Sequence, residues 1–134
     1  EFVYDLKWAR KAGKESTGHG TRGYRSAPRI GFHSLYVENG TTPVEEMIRG
    51  LGRGFYVTDT GAFGYDPATG GWSYAVSGLM IEKGEITFPV TDVSLASDTL
   101  AMLKGVRQVG NDLAFDGGVN CPHLLIGEMA LSGT

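Results

Sequence analysis

The side chains best suited to metal chemistry are three histidines and one cysteine, and their spacing is not that of a metal site. A zinc site needs three or four ligands that converge at about 2.0–2.3 Å, and two histidines four residues apart on one helix are a common part of it. No two histidines of this chain have that spacing. The sequence therefore predicts no metal site within the chain. The four residues are His19, His33, His123 and Cys121.

Cys121 is the candidate nucleophile. It stands before Pro122 and an apolar run, where a free cysteine is typically a small buried side chain. No adjacent base or helix N-terminus is evident that would lower the pKa of its thiol, and the chain has no Gly-x-Ser-x-Gly motif to present a serine. We therefore predict no catalytic residue in this chain.

A glycine-rich segment, residues 13–31, contains Gly18, Gly20 and Gly23 in the spacing of a dinucleotide-binding loop. That motif needs a strand before it and an apolar helix after it, and neither is predicted here. We therefore predict no cofactor site and interpret the segment as a long loop that faces solvent or a partner. Arg22 and Arg25 lie in this loop and are suited to contact an anion.

The charges of the chain are unevenly distributed. Residues 1–29 contain seven of the twelve basic side chains and have a net charge of +4, whereas the other 105 residues have a net charge of −7. A basic segment is one signature of nucleic-acid binding. Here the basic residues are separated by Gly, Ser and Thr, and the acidic remainder would repel phosphate. We do not expect nucleic acid as a partner.

The strongest structural pattern is a β-hairpin over residues 72–90, with Lys83-Gly84 as its two-residue turn. Pro89 cannot donate to a strand ladder, so it predicts an edge or a strand end. Further strands are predicted over 32–37, 54–58, 93–95, 124–126 and 129–131, and residues 59–71 are predicted to be turn material.

Two or three helices complete the predicted elements. One covers residues 2–12, and a second begins with Thr42 as cap, Pro43 as first helical residue and Glu45 closing a capping box. A third begins at Ser97 or Asp98 and runs to Lys104, with Leu100 and Leu103 facing inward.

Length and composition favour one globular domain. The chain has 134 residues, of which 41% are hydrophobic and 21 are glycine, and no apolar run approaches the 18 residues of a membrane-spanning helix. A single cysteine suits a reducing compartment. The predicted fold is α+β, mainly an antiparallel sheet of sandwich or barrel-like form with two or three short helices. The domain covers residues 1–134, of which 1–31 form a helix and a glycine-rich loop.

Seven stretches, taken in order, resemble the C-terminal domain of the TldD/PmbA family, whose PmbA member is also called TldE and which was formerly named "modulator of DNA gyrase". Together they cover nearly the whole chain. They are Ser16-Thr17-Gly18-His19-Gly20-x-Arg22, Leu35-Tyr36-Val37-Glu38-Asn39-Gly40, Gly54-Phe55-Tyr56-Val57-Thr58, Asp66-Pro67-Ala68-Thr69-Gly70-Gly71-Trp72-Ser73-Tyr74, Ile81-Glu82-Lys83-Gly84-Glu85-Ile86-x-x-Pro89-Val90, Val109-Gly110-Asn111-Asp112-Leu113 and Gly127-Glu128-Met129-x-x-Ser132-Gly133.

The resemblance implies that this chain is part of a larger cytoplasmic protein. In the family, TldD and PmbA pair as a zinc metallopeptidase that acts on unfolded peptides and leader peptides. TldD-type subunits carry a His-Glu-x-x-x-Asp-His zinc helix and a later cysteine ligand within Cys-Gly-Lys. This chain has neither motif, and Cys121 directly precedes Pro122. The short bridge at residues 116–120 resembles the PmbA-type subunit, so the resemblance implies zinc only through a TldD-type partner.

Two functions follow as hypotheses. The first is a PmbA-type C-terminal domain that shapes the substrate chamber and the subunit interface, with no catalytic groups of its own and no expected activity alone. Its expected partners are the rest of its parent chain, a TldD-type subunit or a second copy, and an unfolded peptide, but no membrane. Arg22, Tyr24 and Arg25 are the candidate substrate or partner contacts. The alternative is a non-enzymatic interaction module with a role like that of a gyrase modulator.

Overall fold

A computed structural model of the chain describes residues 3–133, which form two compact units. The first unit comprises residues 3–37 and 115–120, and the second comprises residues 38–114 and 121–133. That the chain is one domain over 1–134 stays a prediction. None of the helices in the described residues is long and apolar enough to cross a membrane.

The α+β prediction is confirmed, because the described residues contain three short helices and mainly antiparallel strands. The elements in chain order are α1 (Leu6–Ala12), β1 (Gly20–Thr21), β2 (Arg29–Ile30), β3 (Leu35–Tyr36), α2 (Val44–Arg49), β4 (Arg53–Tyr65), β5 (Gly71–Glu82), β6 (Glu85–Asp98), α3 (Thr99–Lys104), β7 (Val106–Val109), β8 (Val119–Asn120), β9 (Leu124–Ile126) and β10 (Ala130–Ser132).

Helix α1 of the first unit begins later than predicted. Asp5 caps it, since its carboxylate accepts a hydrogen bond from the backbone N–H of Trp8 at 2.8 Å. The cap fixes the start at Leu6, so the prediction of a helix from residue 2 is wrong for residues 3–5, and Phe2 lies outside the described residues. Gly13 ends the helix with a φ of +63°, as predicted.

Two small sheets complete the first unit. Strands β1 and β2 pair antiparallel within the segment predicted to be a loop. Strand β3 pairs parallel with β8, so the strand predicted over 32–37 is reduced to two residues. The amide of Asn120, at the end of β8, is buried and accepts hydrogen bonds from the N–H groups of Asp116 and Gly117, which closes the preceding turn.

The principal sheet lies in the second unit and has the strand order β10-β6-β5-β4, open rather than closed into a barrel. Strand β4 extends to Tyr65, so the prediction of turn material from residue 59 is wrong for 59–65. Phe63 pairs with Tyr74 across the strands, and their rings stack with centroids 4.3 Å apart. Cross-strand aromatic pairs of this kind stabilise a sheet, and they outweigh the glycines of this segment. The turn itself begins at Asp66.

The β5–β6 hairpin forms as predicted. Lys83 and Gly84 both have positive φ, +53° and +80°, which is the geometry of a tight hairpin turn that matches strand twist. Pro89 lies inside β6, opposite Leu79, rather than at a strand end. Strand β10 pairs only with residues 94–96 of β6, so β6 has β5 as its sole partner strand near Pro89 among the described residues. The edge prediction therefore holds locally.

Helix α2 is capped differently from the prediction. Pro43, not Thr42, occupies the cap position, and no side chain makes a capping hydrogen bond. Thr42 instead forms a parallel bridge with Gly110, which keeps its backbone extended. The helix ends at Gly50.

Helix α3 is capped by Asp98, as predicted, through a hydrogen bond from the N–H of Ala101 at 2.8 Å. The prediction that Leu100 and Leu103 face inward is wrong, because their side chains are 60% and 58% exposed. Met102, which lies between these two leucines in the sequence, is less exposed than either of them.

Candidate functional site

The second unit contains a cleft of about 900 Å³. Its walls come from β4, β5, β6, α3, the β7–β9 pair and β10. Most of the side chains that line it are apolar, which is typical of ligand sites. Among the apolar lining residues are Val57, Trp72, Met80, Leu95, Met102 and Leu131.

A chain of three polar side chains ends at this cleft. The Nδ1 atom of His123 makes a short contact with the Asp112 carboxylate, and Nε2 lies 2.8 Å from the hydroxyl oxygen of Tyr56. An ionised carboxylate only accepts hydrogen bonds, so Nδ1 carries a proton. In the neutral imidazole Nε2 is then the acceptor, and the Tyr56 hydroxyl donates to it.

The loop after β7 positions Asp112. Its carboxylate also accepts a hydrogen bond from the backbone N–H of His123 at 3.1 Å. One side chain therefore holds both the backbone and the imidazole of His123. The N–H of Gly110 donates to the carbonyl of His123 at 2.7 Å. A Cβ atom at Gly110 would overlap the Asp112 carboxylate, so only glycine allows the loop to fold this closely.

The hydrogen bond with His123 changes the acidity of Asp112. The hydrogen bond from His123 is the main cause that lowers the pKa of the Asp112 carboxyl below its usual value. The carboxylate therefore stays ionised at neutral pH and orients the imidazole, an arrangement in which a carboxylate fixes the tautomer of a histidine.

Cys121 lies two residues before His123 and is exposed, so the prediction of a buried side chain is wrong. Partial burial of the thiol, followed by the charge of Asp112, raises the pKa of Cys121. The thiol is therefore protonated at neutral pH, and the protonated form is a poor nucleophile.

Two arginines also line the cleft. Arg53 opens β4, and Arg107 lies at an irregularity in the β7–β9 pairing, between the paired residues Val106 and Gln108. The guanidinium of Arg107 lies over Gly127, with Nε 3.2 Å from the position that a Cβ atom would occupy there. In the described residues neither guanidinium has a carboxylate within 4 Å.

The residues that the sequence singled out as contacts lie in the first unit. Arg22, Tyr24 and Arg25 are all exposed between β1 and β2, and Tyr24 is 98% exposed. Their role as substrate or partner contacts stays a prediction. His19 and His33 also belong to the first unit, where His19 accepts or donates a hydrogen bond with the Thr17 hydroxyl at 2.8 Å. Within residues 3–133, no three His, Cys, Asp or Glu side chains are grouped as a metal site.

Sequence reasoning missed the chain of Asp112, His123 and Tyr56. From the sequence, His123 is only a candidate metal ligand, and Asp112 belongs to a stretch of the family resemblance without a role of its own. Asp112 and His123 are 11 residues apart and Tyr56 is 67 residues from His123, so no local spacing joins them. Gly110, two residues before Asp112, is the one local signal that the Asp112 carboxylate packs against its own loop.

The chain is similar to proteins of known sequence and structure along nearly its whole length. The family model described as "PmbA/TldA metallopeptidase C-terminal domain" matches residues 1–133. Metalloprotease PmbA of Escherichia coli O157:H7 is 30% identical over 125 residues, which are 93% of this chain and 26% of the relative. The chain therefore spans about a quarter of that relative's length.

Solved structures agree with the sequence comparison. TldE from Thermococcus kodakarensis superposes with a TM-score of 0.82 at 31% identity, over 98% of this chain and 31% of that one. A proposed modulator of a DNA gyrase from Thermotoga maritima superposes with a TM-score of 0.83 at 28% identity, over 98% of this chain and 30% of that one.

Proposed function

Because this chain belongs to the PmbA/TldD metallopeptidase family, in which it corresponds to the C-terminal domain, we propose that it serves a PmbA/TldE-type subunit of a cytoplasmic peptidase. In this role it forms part of the substrate chamber and of the interface with a TldD-type subunit. The TldD-type partner supplies the zinc, and this chain supplies no catalytic group. The substrate is an unfolded peptide or a leader peptide.

The likeness to TldE carries this proposal, since it extends over 98% of the chain. The sequence around Cys121 supports the non-catalytic part of it. This cysteine is followed directly by Pro122 and does not stand in the Cys-Gly-Lys segment that provides a zinc ligand in TldD-type subunits. The non-enzymatic interaction module is less favoured, because the family description and the PmbA relative are both named for a peptidase.

The cleft of the second unit is the part of the chamber wall that we assign to this chain. Its apolar lining suits the side chains of an unfolded peptide. The exposed residues Arg22, Tyr24 and Arg25 are proposed as contacts with the substrate or with the partner subunit, since a planar guanidinium and an exposed ring are typical of interface centres.

A pull-down with a TldD-type subunit tests the proposal. We expect this chain to copurify with that subunit, and a variant with Arg22, Tyr24 and Arg25 all changed to alanine to copurify less. The charge-matched control changes Arg10 and Lys14 to alanine, which removes two positive charges elsewhere in the first unit. The proposal fails if the purified chain with excess Zn²⁺ cleaves casein by itself and a chelator abolishes the cleavage.

A further inference from the structure

We infer that the cleft of the second unit binds the C-terminal end of an extended peptide, with the free carboxylate on Arg107 and the last, apolar side chain among the apolar lining residues. This inference rests on the proposed peptide-binding role and specifies which end of the peptide the cleft takes. It is carried by the charges of the cleft, the position of Arg107 and the Tyr56 hydroxyl.

The charges that line the cleft are opposite to those of the unit that contains it. Residues 38–114 and 121–134 have eleven acidic and five basic side chains, a net charge of −6. The cleft is lined by two of those basic residues, Arg53 and Arg107, and by one acidic residue, Glu128. An apolar cleft with positive charge in an acidic unit is complementary to a ligand with an apolar body and an anionic head.

The position of Arg107 is specific rather than incidental. It lies where β7 and β9 shift register, and such irregularities often re-aim a side chain next to a functional site. Its guanidinium rests on Gly127, where the absence of a Cβ atom leaves room for it. A guanidinium without a carboxylate partner in the described residues has its fork of N–H donors free for a bidentate carboxylate.

The Tyr56 hydroxyl supplies the second polar contact. With a neutral imidazole it donates to His123 at 2.8 Å, so its oxygen still has lone pairs to accept an N–H group. Asp112 fixes the imidazole from the other side and so holds the Tyr56 hydroxyl in place. An acceptor for a backbone N–H group of the bound peptide therefore lines the same cleft as Arg107. Tyr56 and His123 both line the cleft.

Fluorescence anisotropy with labelled hexapeptides tests this inference. One peptide ends in leucine with a free carboxylate, and its match ends in leucinamide. We expect the free acid to bind about five to ten times more tightly, as for a charge-assisted hydrogen bond at a half-exposed site. Arg107→Gln should reduce that ratio to near one, whereas the matched charge change Lys104→Gln, outside the cleft, should leave it intact. Tyr56→Phe should weaken both peptides equally and preserve the ratio.

Three results would overturn the inference. They are equal binding of the acid and the amide, an undiminished ratio in folded Arg107→Gln, and displacement of the peptide by decanoate at the same concentration as by the unlabelled acid. The last would identify the ligand as an aliphatic carboxylate rather than a peptide. These measurements need no TldD-type subunit. A chain that prefers the acid but does not copurify with that subunit contradicts the proposed function alone, and the reverse contradicts this inference alone.

Discussion

The hydroxyl oxygen of Tyr56 lies 2.8 Å from Nε2 of His123, although 67 positions separate the two residues in the sequence. Their rings are also nearly parallel, with an interplanar angle of 12°. The contact connects β4 of the principal sheet to the segment that enters β9. It therefore joins two of the segments that line the cleft through one side-chain hydrogen bond.

Removing that hydroxyl should cost a small but measurable part of the stability. Tyr56→Phe keeps the ring and loses the hydrogen bond to His123, so we expect the free energy of unfolding to fall by about 0.5–1 kcal/mol. Urea denaturation measures it. The control is Tyr74→Phe, because the Tyr74 hydroxyl has no hydrogen-bond partner among the described residues. An equal loss in both variants would contradict a role for the Tyr56–His123 contact.

Acid should weaken the second unit through Asp112. Hydrogen bonding to His123 lowers the pKa of this carboxyl in the folded state. Its contribution to the free energy of unfolding is therefore fully present above the pKa of the unfolded chain, about 3.9. That contribution is lost as the pH falls through the lower pKa of the folded chain.

Urea denaturation between pH 7 and pH 2 should show a steeper acid loss than in Asp112→Asn. The side chain is 34% exposed, which limits the difference to below about 1 kcal/mol. If Asp112→Asn and the parent chain lose stability in parallel below pH 4, the hydrogen bond between Asp112 and His123 does not contribute to folding.

Adding one methyl group at Gly110 should disrupt the site. The new Cβ atom would overlap the Asp112 carboxylate, so the carboxylate must leave His123 or the loop must shift. We expect Gly110→Ala to lower the free energy of unfolding by about 1–3 kcal/mol and to remove the acid-dependent loss assigned to Asp112. Gly52→Ala is the matched control, because a Cβ atom there meets nothing within 4 Å. If Gly110→Ala leaves the free energy of unfolding unchanged, the loop has room for a methyl group, which contradicts the structure.

Alanine substitutions at the starts of α2 and α3 should lower the free energy of unfolding by different amounts. Asp98→Ala removes the hydrogen bond to the N–H of Ala101 and should cost about 0.5–2 kcal/mol. Thr42→Ala should cost less, because Thr42 makes no capping hydrogen bond. Urea denaturation of both variants compares them directly, and a larger loss at Thr42 would contradict the assignment of the caps.

Local patterns predicted the elements that depend on local chemistry. The Lys83-Gly84 turn and the Asp98 cap formed as expected, since each depends on residues within a few positions of itself. Thr42 failed as a cap because a distant residue, Gly110, holds its backbone extended. Leu100 and Leu103 failed as core residues because a six-residue helix is too short for its apolar spacing to identify the buried face.

The candidate site depends almost wholly on distant contacts. The register irregularity at Arg107 arises from its pairing with β9, and the histidine contact arises from the fold of the loop after β7. The sequence shows Gly110, which permits this loop. It does not show that the Asp112 carboxylate occupies the space beside that glycine. The family resemblance anticipated the domain and its subunit type, and it did not point to Tyr56, Arg107 or His123.

The carboxylate of Asp112 also affects the reactivity of the Cys121 thiol. Its charge, after partial burial, raises the pKa of the exposed Cys121 thiol. Oxidation and disulfide exchange both proceed through the thiolate, so little of the reactive form is present at neutral pH. The carboxylate that orients His123 therefore also lowers the fraction of Cys121 in the thiolate form, although Cys121 is exposed.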